Sequence, residues 1–205
     1  FEDERRLDIL FNNAGIGVGG EVLEQTLDDF REIVEVNLMG VVHGVLAAYP
    51  RMVAQGFGHI VNTASMSGLM PSPMVASYSM TKHGVVGLTR SLRLEGAPRG
   101  VRASVLCPGV IDTAILRGGA FGRFTRTPSP DSIDRAFAYA RPMPADAFAR
   151  ATLDLVARNR ETIIVPSSWR IVDALLRYAP PLSRALLAWT FERMKAEFER
   201  GTPRA

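Results

Sequence analysis

Apolar residues recur in two rhythms along this chain, and their alternation predicts its architecture. Short unbroken apolar runs closed by turn residues mark strands, while longer stretches with apolar positions three and four apart mark helices. "LDILFNNAG" (7–15) is a run of the first kind, a buried strand ended by Asn-Asn-Ala-Gly. "TLDDFREIVEVNLMGVVHGVLAAYPRMVAQG" (26–56) is of the second kind: Thr26 is placed to cap it, acids fill its first turn and Gly56 stops it. "GHIVNTAS" (58–65) is another buried strand, with its polar residues at the carboxyl end. "ASYSMTKHGVVGLTRSLRLEGAPRG" (76–100) predicts a helix with Ser77 near its start and Gly96 and Pro98 at its end. "VRASVLCPG" (101–109) is a third strand, "PADAFARATLDLVARN" (144–159) a further helix and "ETIIVP" (161–166) a last strand. Between them, residues 112–142 are rich in Gly, Pro, Ser and Thr and predict a long loop with short helical pieces.

Strands alternating with helices predict an α/β fold, a doubly wound parallel sheet with right-handed crossovers and helices on both faces. Ligands of such sheets bind beyond the carboxyl ends of the strands. Asn12, Asn13, Asn62, Thr63, Ser65 and Thr113 all fall at or just after those ends.

Composition narrows the class. A chain of 205 residues, 47% hydrophobic, fits one globular domain with a real core. No unbroken apolar run approaches the roughly 20 residues a membrane-crossing helix needs. The acids and arginines of residues 1–11 do not resemble a signal peptide. A single cysteine, Cys107, excludes an internal disulfide and fits a reducing compartment, the cytoplasm. His43, His59 and His83 are scattered without ligand spacing, so no metal site is expected. The net charge of +3 arises wholly in residues 167–205, where seven basic residues face four acidic ones. A basic tail of this kind does not point to a nucleic-acid partner. Phe1 stands where an initiator Met would be, which predicts a start within a domain.

The chemistry concentrates around "YSMTK" (78–82). The chain carries 24 Lys plus Arg but only two lysines, Lys82 and Lys195. Tyr78 and Lys82 are four apart and project from one face of the predicted helix. A free phenol has a pKa near 10; an ammonium beside it would lower that value and let Tyr78 trade protons with a substrate oxygen. A compact lysine charge can be shared with a second ligand, which a planar arginine fork suits less well. An exposed Tyr-Lys pair on a helix surface is the plainer alternative. Ser65 closes a strand thirteen residues before Tyr78 and could bond the same substrate oxygen, or simply shape the strand-end turn. Asn37 lies inside a predicted helix, where Asn is unfavoured; with Gly40 nearby it marks a local bend or a water site.

Taken in order, "NNAG", a mid-helix Asn, a Ser thirteen before "YSMTK", and "PGVIDT" resemble the short-chain dehydrogenase/reductases, over about residues 7–166. The resemblance implies a Rossmann-like fold and reversible hydride transfer between NAD or NADP and an alcohol/carbonyl pair. It implies Tyr78 as acid/base, Lys82 lowering the Tyr78 pKa and holding the nicotinamide ribose, Ser65 orienting the substrate oxygen, and Asn37 holding a relay water. Asn12, Ala14 and Gly15 would line the cofactor and support the sheet, and Pro108, Gly109, Ile111 and Thr113 would contact its nicotinamide half. The family's glycine-rich turn, T-G-x-x-x-G-x-G, does not occur in these residues; "GIGVGG" (15–20) is no equivalent. The resemblance therefore implies that residues 1–166 are the second part of the catalytic domain, on the order of 80 residues short. The strand at 7–12 would then be an exposed apolar edge, and the 205 residues alone would be inactive. A non-catalytic remnant is the competing reading, but drift gives no reason to keep Ser65, Tyr78 and Lys82 together.

In this resemblance the segment after "PGVIDT" covers the substrate. Phe121, Phe124, Ile133, Phe137, Tyr139 and Met143, facing "LMPSPM" (69–74), favour an apolar alcohol or ketone; they would serve equally to anchor the loop. Residues 167–205 form a basic helical extension in which Leu187, Phe191, Met194 and Phe198 share one face. Packing on the body or a subunit contact is favoured there over a membrane surface, because Glu192, Glu197 and Glu199 weaken attraction to anionic lipid. The long helices at 26–56 and 76–98 imply a homodimer or homotetramer by resemblance.

Overall fold

The computed structural model describes residues 6–118, 121–126, 129–138 and 140–201. Its elements run β1 (Ile9–Asn12), β2 (Gly17–Gly19), α1 (Leu27–Val34), α2 (Gly40–Gln55), β3 (Gly58–Thr63), α3 (Ala76–Gly96), β4 (Val101–Pro108), β5 (Ile111–Asp112), β6 (Gly122–Phe124), α4 (Pro130–Ala138), β7 (Met143–Pro144), α5 (Ala145–Ala157), β8 (Thr162–Val165), α6 (Trp169–Tyr178) and α7 (Pro180–Gly201). The expected α/β fold is present. Four parallel strands form one sheet in the order β1-β3-β4-β8, so each strand pairs with the sheet strand before it in the chain.

The two-residue period of each strand sorts its side chains to the two faces. Ile60, Val105, Cys107 and Ile164 point to one side and pack against Val41, Val45 and Met52 of α2 and Val85, Val86 and Leu92 of α3. Val61, Leu106, Ile163 and Val165 point to the other and meet Phe148, Leu155 and Val156 of α5. At β1 the same alternation puts Leu10 on the first core and leaves Ile9 and Phe11 46% and 39% exposed. The apolar run at 7–15 is thus the exposed apolar edge that the family resemblance implies, and not the buried strand that its pattern alone predicts.

The helical stretch after residue 26 begins as expected. Thr26 Oγ1 accepts from Asp29 N–H, and the Asp29 carboxylate accepts from Thr26 N–H, which satisfies two end groups reciprocally. It is not one uniform helix. Residues Glu35–Met39 make a wider π-helical turn between α1 and α2, and Asn37 sits in it, where a bend was expected. By length and composition the 27–55 stretch could cross a membrane, which counting unbroken runs misses. Here it is a core element, with Val41, Val45, Ala48 and Met52 buried against the sheet and Gly56, at φ 77°, ending it.

The stretch at 112–142 holds more structure than its composition predicts. β6 pairs in parallel with β2, and β5 with β7. These ribbons are only two or three residues long, and β2 and β6 contain glycine, which removes the usual strand signal. A Cβ on Gly122 would lie 2.6 Å from the carbonyl oxygen of Gly17, so glycine is what lets the two segments meet.

On the α5 side of the sheet, His59 of β3 is buried and bonds Ser104 Oγ at 2.8 Å. Ser104 donates its own proton to Arg160 O at 2.6 Å, so His59 Nε2 is the donor to Ser104. Burial, with Arg102 and Arg93 adding repulsion, lowers the His59 pKa to about 4. The unfolded chain therefore takes up this proton first as pH falls. Stability is predicted to drop between pH 6.5 and 4 and then level off, by up to about 3 kcal/mol for this group. Urea unfolding across that range will show the drop, and His59→Gln will flatten it.

Candidate active site

The carboxyl edge of the sheet is assembled by polar side chains that lock strands to helices. Asn12 Nδ2 donates to Asn62 Oδ1 at 2.8 Å, Asn62 Nδ2 donates to Thr89 Oγ1 at 3.0 Å, and Thr89 donates to Val85 O at 2.6 Å. This chain fastens β1, β3 and α3, and the Asn12 amide also fills the space a Cβ on Gly44 of α2 would need. Asn12 therefore supports the sheet through its neighbours. One residue along, Thr63 Oγ1 donates to Asn13 Oδ1 at 2.9 Å, tying the turn after β1 to the end of β3.

Lys82 enters this edge from α3. It is 3% exposed, and its ammonium donates to Thr63 O at 2.9 Å. Burial lowers its pKa to about 8, so it remains mostly charged at pH 7. One helical turn earlier, Tyr78 places its ring 5.4 Å, centroid to ammonium, from Lys82. The Ser65 hydroxyl accepts from Ser67 N–H at 3.1 Å and lies within hydrogen-bonding reach of the Tyr78 phenol. Ser65, Tyr78 and Lys82 are thus brought together. The expected sign of the Tyr78 shift is not found. Burial raises its pKa and outweighs the Ser65 hydrogen bond that lowers it, while the Lys82 charge stands over the ring face.

Asn37 is fully buried beside them. Asn37 Oδ1 accepts from Ile16 N–H at 2.8 Å, and Nδ2 donates to Ile16 O at 2.9 Å and Thr81 Oγ1 at 3.4 Å. The side-chain amide completes the Ala14-Gly15-Ile16 backbone like a missing strand residue. A Cβ on Gly15 would lie 3.2 Å from Asn37 Oδ1 and 3.5 Å from Lys82 Nζ, so Gly15 marks an approach to both. Ala14 is exposed next to it.

The segment after β4 is held on the other flank. Pro108 pairs with Val165, Gly109 N–H donates to Val165 O at 2.9 Å, Ile111 is buried opposite Met143, and Thr113 begins a short 3-10 turn. The Trp169 indole of α6 lies directly on Gly109, with no room for a side chain there.

Of the aromatic and aliphatic side chains expected over the substrate, Phe121 is exposed and Phe124 lies on Gly19, but Ile133 is buried in α4 and Met143 packs into the α5 core. Tyr139 lies outside the described residues. The cover is sewn down by charge: Arg123 pairs with buried Asp29, Arg126 and Thr125 with Glu24, and Gly20 N–H donates to Met74 O at 2.7 Å. Among the described residues no group of His, Cys, Asp and Glu is arranged to hold a metal.

Residues 2–119 match the family model described as short chain dehydrogenase. The chain belongs to this family. Individual short-chain dehydrogenase relatives carry the match further along the sequence. The oxidoreductase UcpA of Escherichia coli strain K12 is 36% identical over 175 residues, which is 84% of this chain and 66% of that protein. A Burkholderia phymatum short-chain dehydrogenase/reductase solved with NAD superposes with a TM-score of 0.72 at 33% identity, over 86% of this chain and 67% of that one. A Sphingobium yanoikuyae short-chain dehydrogenase solved with NADPH gives a TM-score of 0.70 at 27% identity, over 88% and 66%. The chain spans between 44% and 66% of the length of the first curated relatives it matches.

Two positioning residues carry no motif of their own in the sequence, Thr89 and Trp169, while the motifs that contain Thr63 and Thr81 do not predict their bonds. Gly68 is a further one, and it did leave a signal, standing three residues after Ser65 in "SMSG". A Cβ at Gly68 would lie 2.6 Å from the Lys82 carbonyl oxygen, so the Ser65 turn can rest on α3 only with glycine there. Gly68→Ala is predicted to cost about 1–3 kcal/mol. At Gly87 of α3 a Cβ meets nothing within 4 Å, and Gly87→Ala should instead stabilise by about 0.5–1 kcal/mol. Denaturant unfolding of the two variants will give opposite signs.

Proposed function

We propose that this chain carries the catalytic half of an NAD(P)-dependent oxidoreductase that interconverts an alcohol and a carbonyl compound. The observation that carries the reading is the convergence of Ser65, Tyr78 and Lys82 at the carboxyl edge of the sheet. NAD and NADPH in the solved structures of similar family members support the choice of cofactor class.

The cofactor would supply or accept the hydride. The residues present suit it. Lys82 has three N–H donors, of which one is engaged by Thr63 O, so the ammonium can also serve ribose hydroxyls. Gly15 keeps the approach to Lys82 and Asn37 open, Ala14 flanks it, and Asn12 acts by fixing the turn. Pro108, Gly109, Ile111 and Thr113 would hold the nicotinamide side, kept in place by Trp169.

Tyr78 does the proton work. Its raised pKa keeps the phenol protonated at neutral pH, ready to protonate the oxygen of a carbonyl being reduced. Ser65 would donate a hydrogen bond to the same oxygen and stabilise its growing charge. In the oxidation direction Tyr78 must first lose its proton, and the Ser65 hydroxyl then stabilises the phenolate. Asn37 would act by holding the Ile16 backbone, beside the relay water that the family resemblance implies. For the substrate we propose an apolar alcohol or ketone, supported by Phe121 and Phe124 in the cover.

The 205 residues contain no T-G-x-x-x-G-x-G turn, so turnover is proposed for the whole protein and not for these residues alone. Self-association through α2 and α3 is part of the same reading, supported by Leu46 and Leu94, which are 67% and 78% exposed.

In the whole protein, Tyr78→Phe is predicted to lower kcat by at least about 100-fold while cofactor binding, read by calorimetry, is retained. Unchanged turnover would refute the assignment. Alcohol oxidation should also climb through the alkaline range as Tyr78 ionises, and Lys82→Met should lose cofactor affinity together with turnover. A substrate panel in which small polar alcohols outperform long-chain or polycyclic ones would refute the apolar substrate.

A further inference from the structure

Helix α7 carries two apolar stripes. Leu187, Phe191 and Met194 lie on one side of it, and α7 packs on α4 of the body, with Arg135 of α4 paired to Glu197 at 3.2 Å; the side chain of Phe198 lies outside the described residues. Leu182, Leu186 and Trp189 recur four and three apart on the opposite side, and all three are exposed. Helix α6 repeats the pattern. Ile171, Leu175 and Tyr178, with Ala174 and Arg170, line an open, apolar groove of about 390 Å³ that ends at Ala179. Leu182 follows three residues later, so the two apolar runs meet where the helices join.

Charge around these runs is net basic: Arg170 and Arg193 stand against the exposed Glu192, and Arg177 is paired with Asp173. Arg170 and Arg177 flank the α6 run, and the Arg193 guanidinium lies over the exposed Trp189 ring, 4.8 Å from its centroid. The acids that argued against lipid in the sequence are largely engaged. Asp173 is paired with Arg177 at 3.1 Å and Glu197 is turned to the body, which leaves Glu192 as the exposed acid among the described side chains of the tail.

We infer that the outer face of α6 and α7 docks on an anionic lipid surface. Tyr and Trp beside arginines on an exposed apolar helix face match the membrane interface, where the rings sit at headgroup level and guanidinium groups reach the phosphates. A second copy of the same face would bring arginine against arginine, which disfavours it as the occupant.

Flotation of the purified whole protein with vesicles of phosphatidylcholine alone, or with a quarter phosphatidylglycerol, tests this at low and high salt. Binding is expected on the anionic vesicles, with weakening on phosphatidylcholine alone and at high salt. Leu186→Ser with Trp189→Ser, and separately Arg170→Gln with Arg177→Gln, should each lower the partition coefficient roughly tenfold. Their mass by light scattering should stay that of the wild type. The exposed arginine pair guards against misreading a folding defect, and circular dichroism checks both variants. Absent flotation, equal binding to neutral vesicles, or binding unchanged in both variants would overturn the inference. A smaller mass in the variants would also overturn it and assign the face to a second copy of the chain.

Discussion

A buried ammonium must be answered by an acceptor, and the placement of Lys82 follows from that demand. Its charge enters the protein on α3 and finds the carbonyl of Thr63, the last residue of β3. That bond fixes helix and sheet in one register. Ser65 follows two residues beyond the acceptor, and Tyr78 stands one turn before the donor. The phenol, hydroxyl and ammonium therefore share an edge because one hydrogen bond leaves them little freedom to do otherwise.

Around this bond the structure is held by polar groups that have few alternatives. Asn12, Asn62 and Thr89 bond in sequence through the protein interior, and Arg93 reaches Ala103 O, Asn159 Oδ1 and Asn159 O. Each of these side chains would be costly to strand without its partner. Glycines set the remaining distances: Gly68 brings the Ser65 turn onto α3, and Gly109 admits the Trp169 indole. The latter couples the start of the tail to the loop proposed to hold nicotinamide, so the tail is continuous with the site and not an appendage beside it.

The sequence carried the sheet and the site to different depths. Apolar runs at 58–65, 101–109 and 161–166 have the period and length of strands, and the structure has strands within each. The π-turn at Asn37 was legible as an unfavoured residue inside a helical pattern; its purpose was not, because the Ile16 backbone it completes lies 21 residues away. The order and spacing of Ser65, Tyr78 and Lys82 were legible as a set. The direction of the Tyr78 shift was not, because spacing says that two side chains share a helix face and says nothing of how much water each loses. The ribbons built from Gly17–Gly19 and Gly122–Phe124 left no pattern to find, since their pairing depends on missing side chains.

The strand order has a consequence for how the molecule is made. Because each sheet strand pairs with the one before it in the chain, no crossover needs a segment that has yet to be synthesised. Within that sheet, contacts form between strands that are neighbours in sequence as far as a parallel sheet allows, which shortens the search. The flank of the site formed by Gly109 and Trp169 closes only when β8 and α6 arrive. A nascent chain on the ribosome would thus hold the Tyr78 side of its edge before it could hold the other.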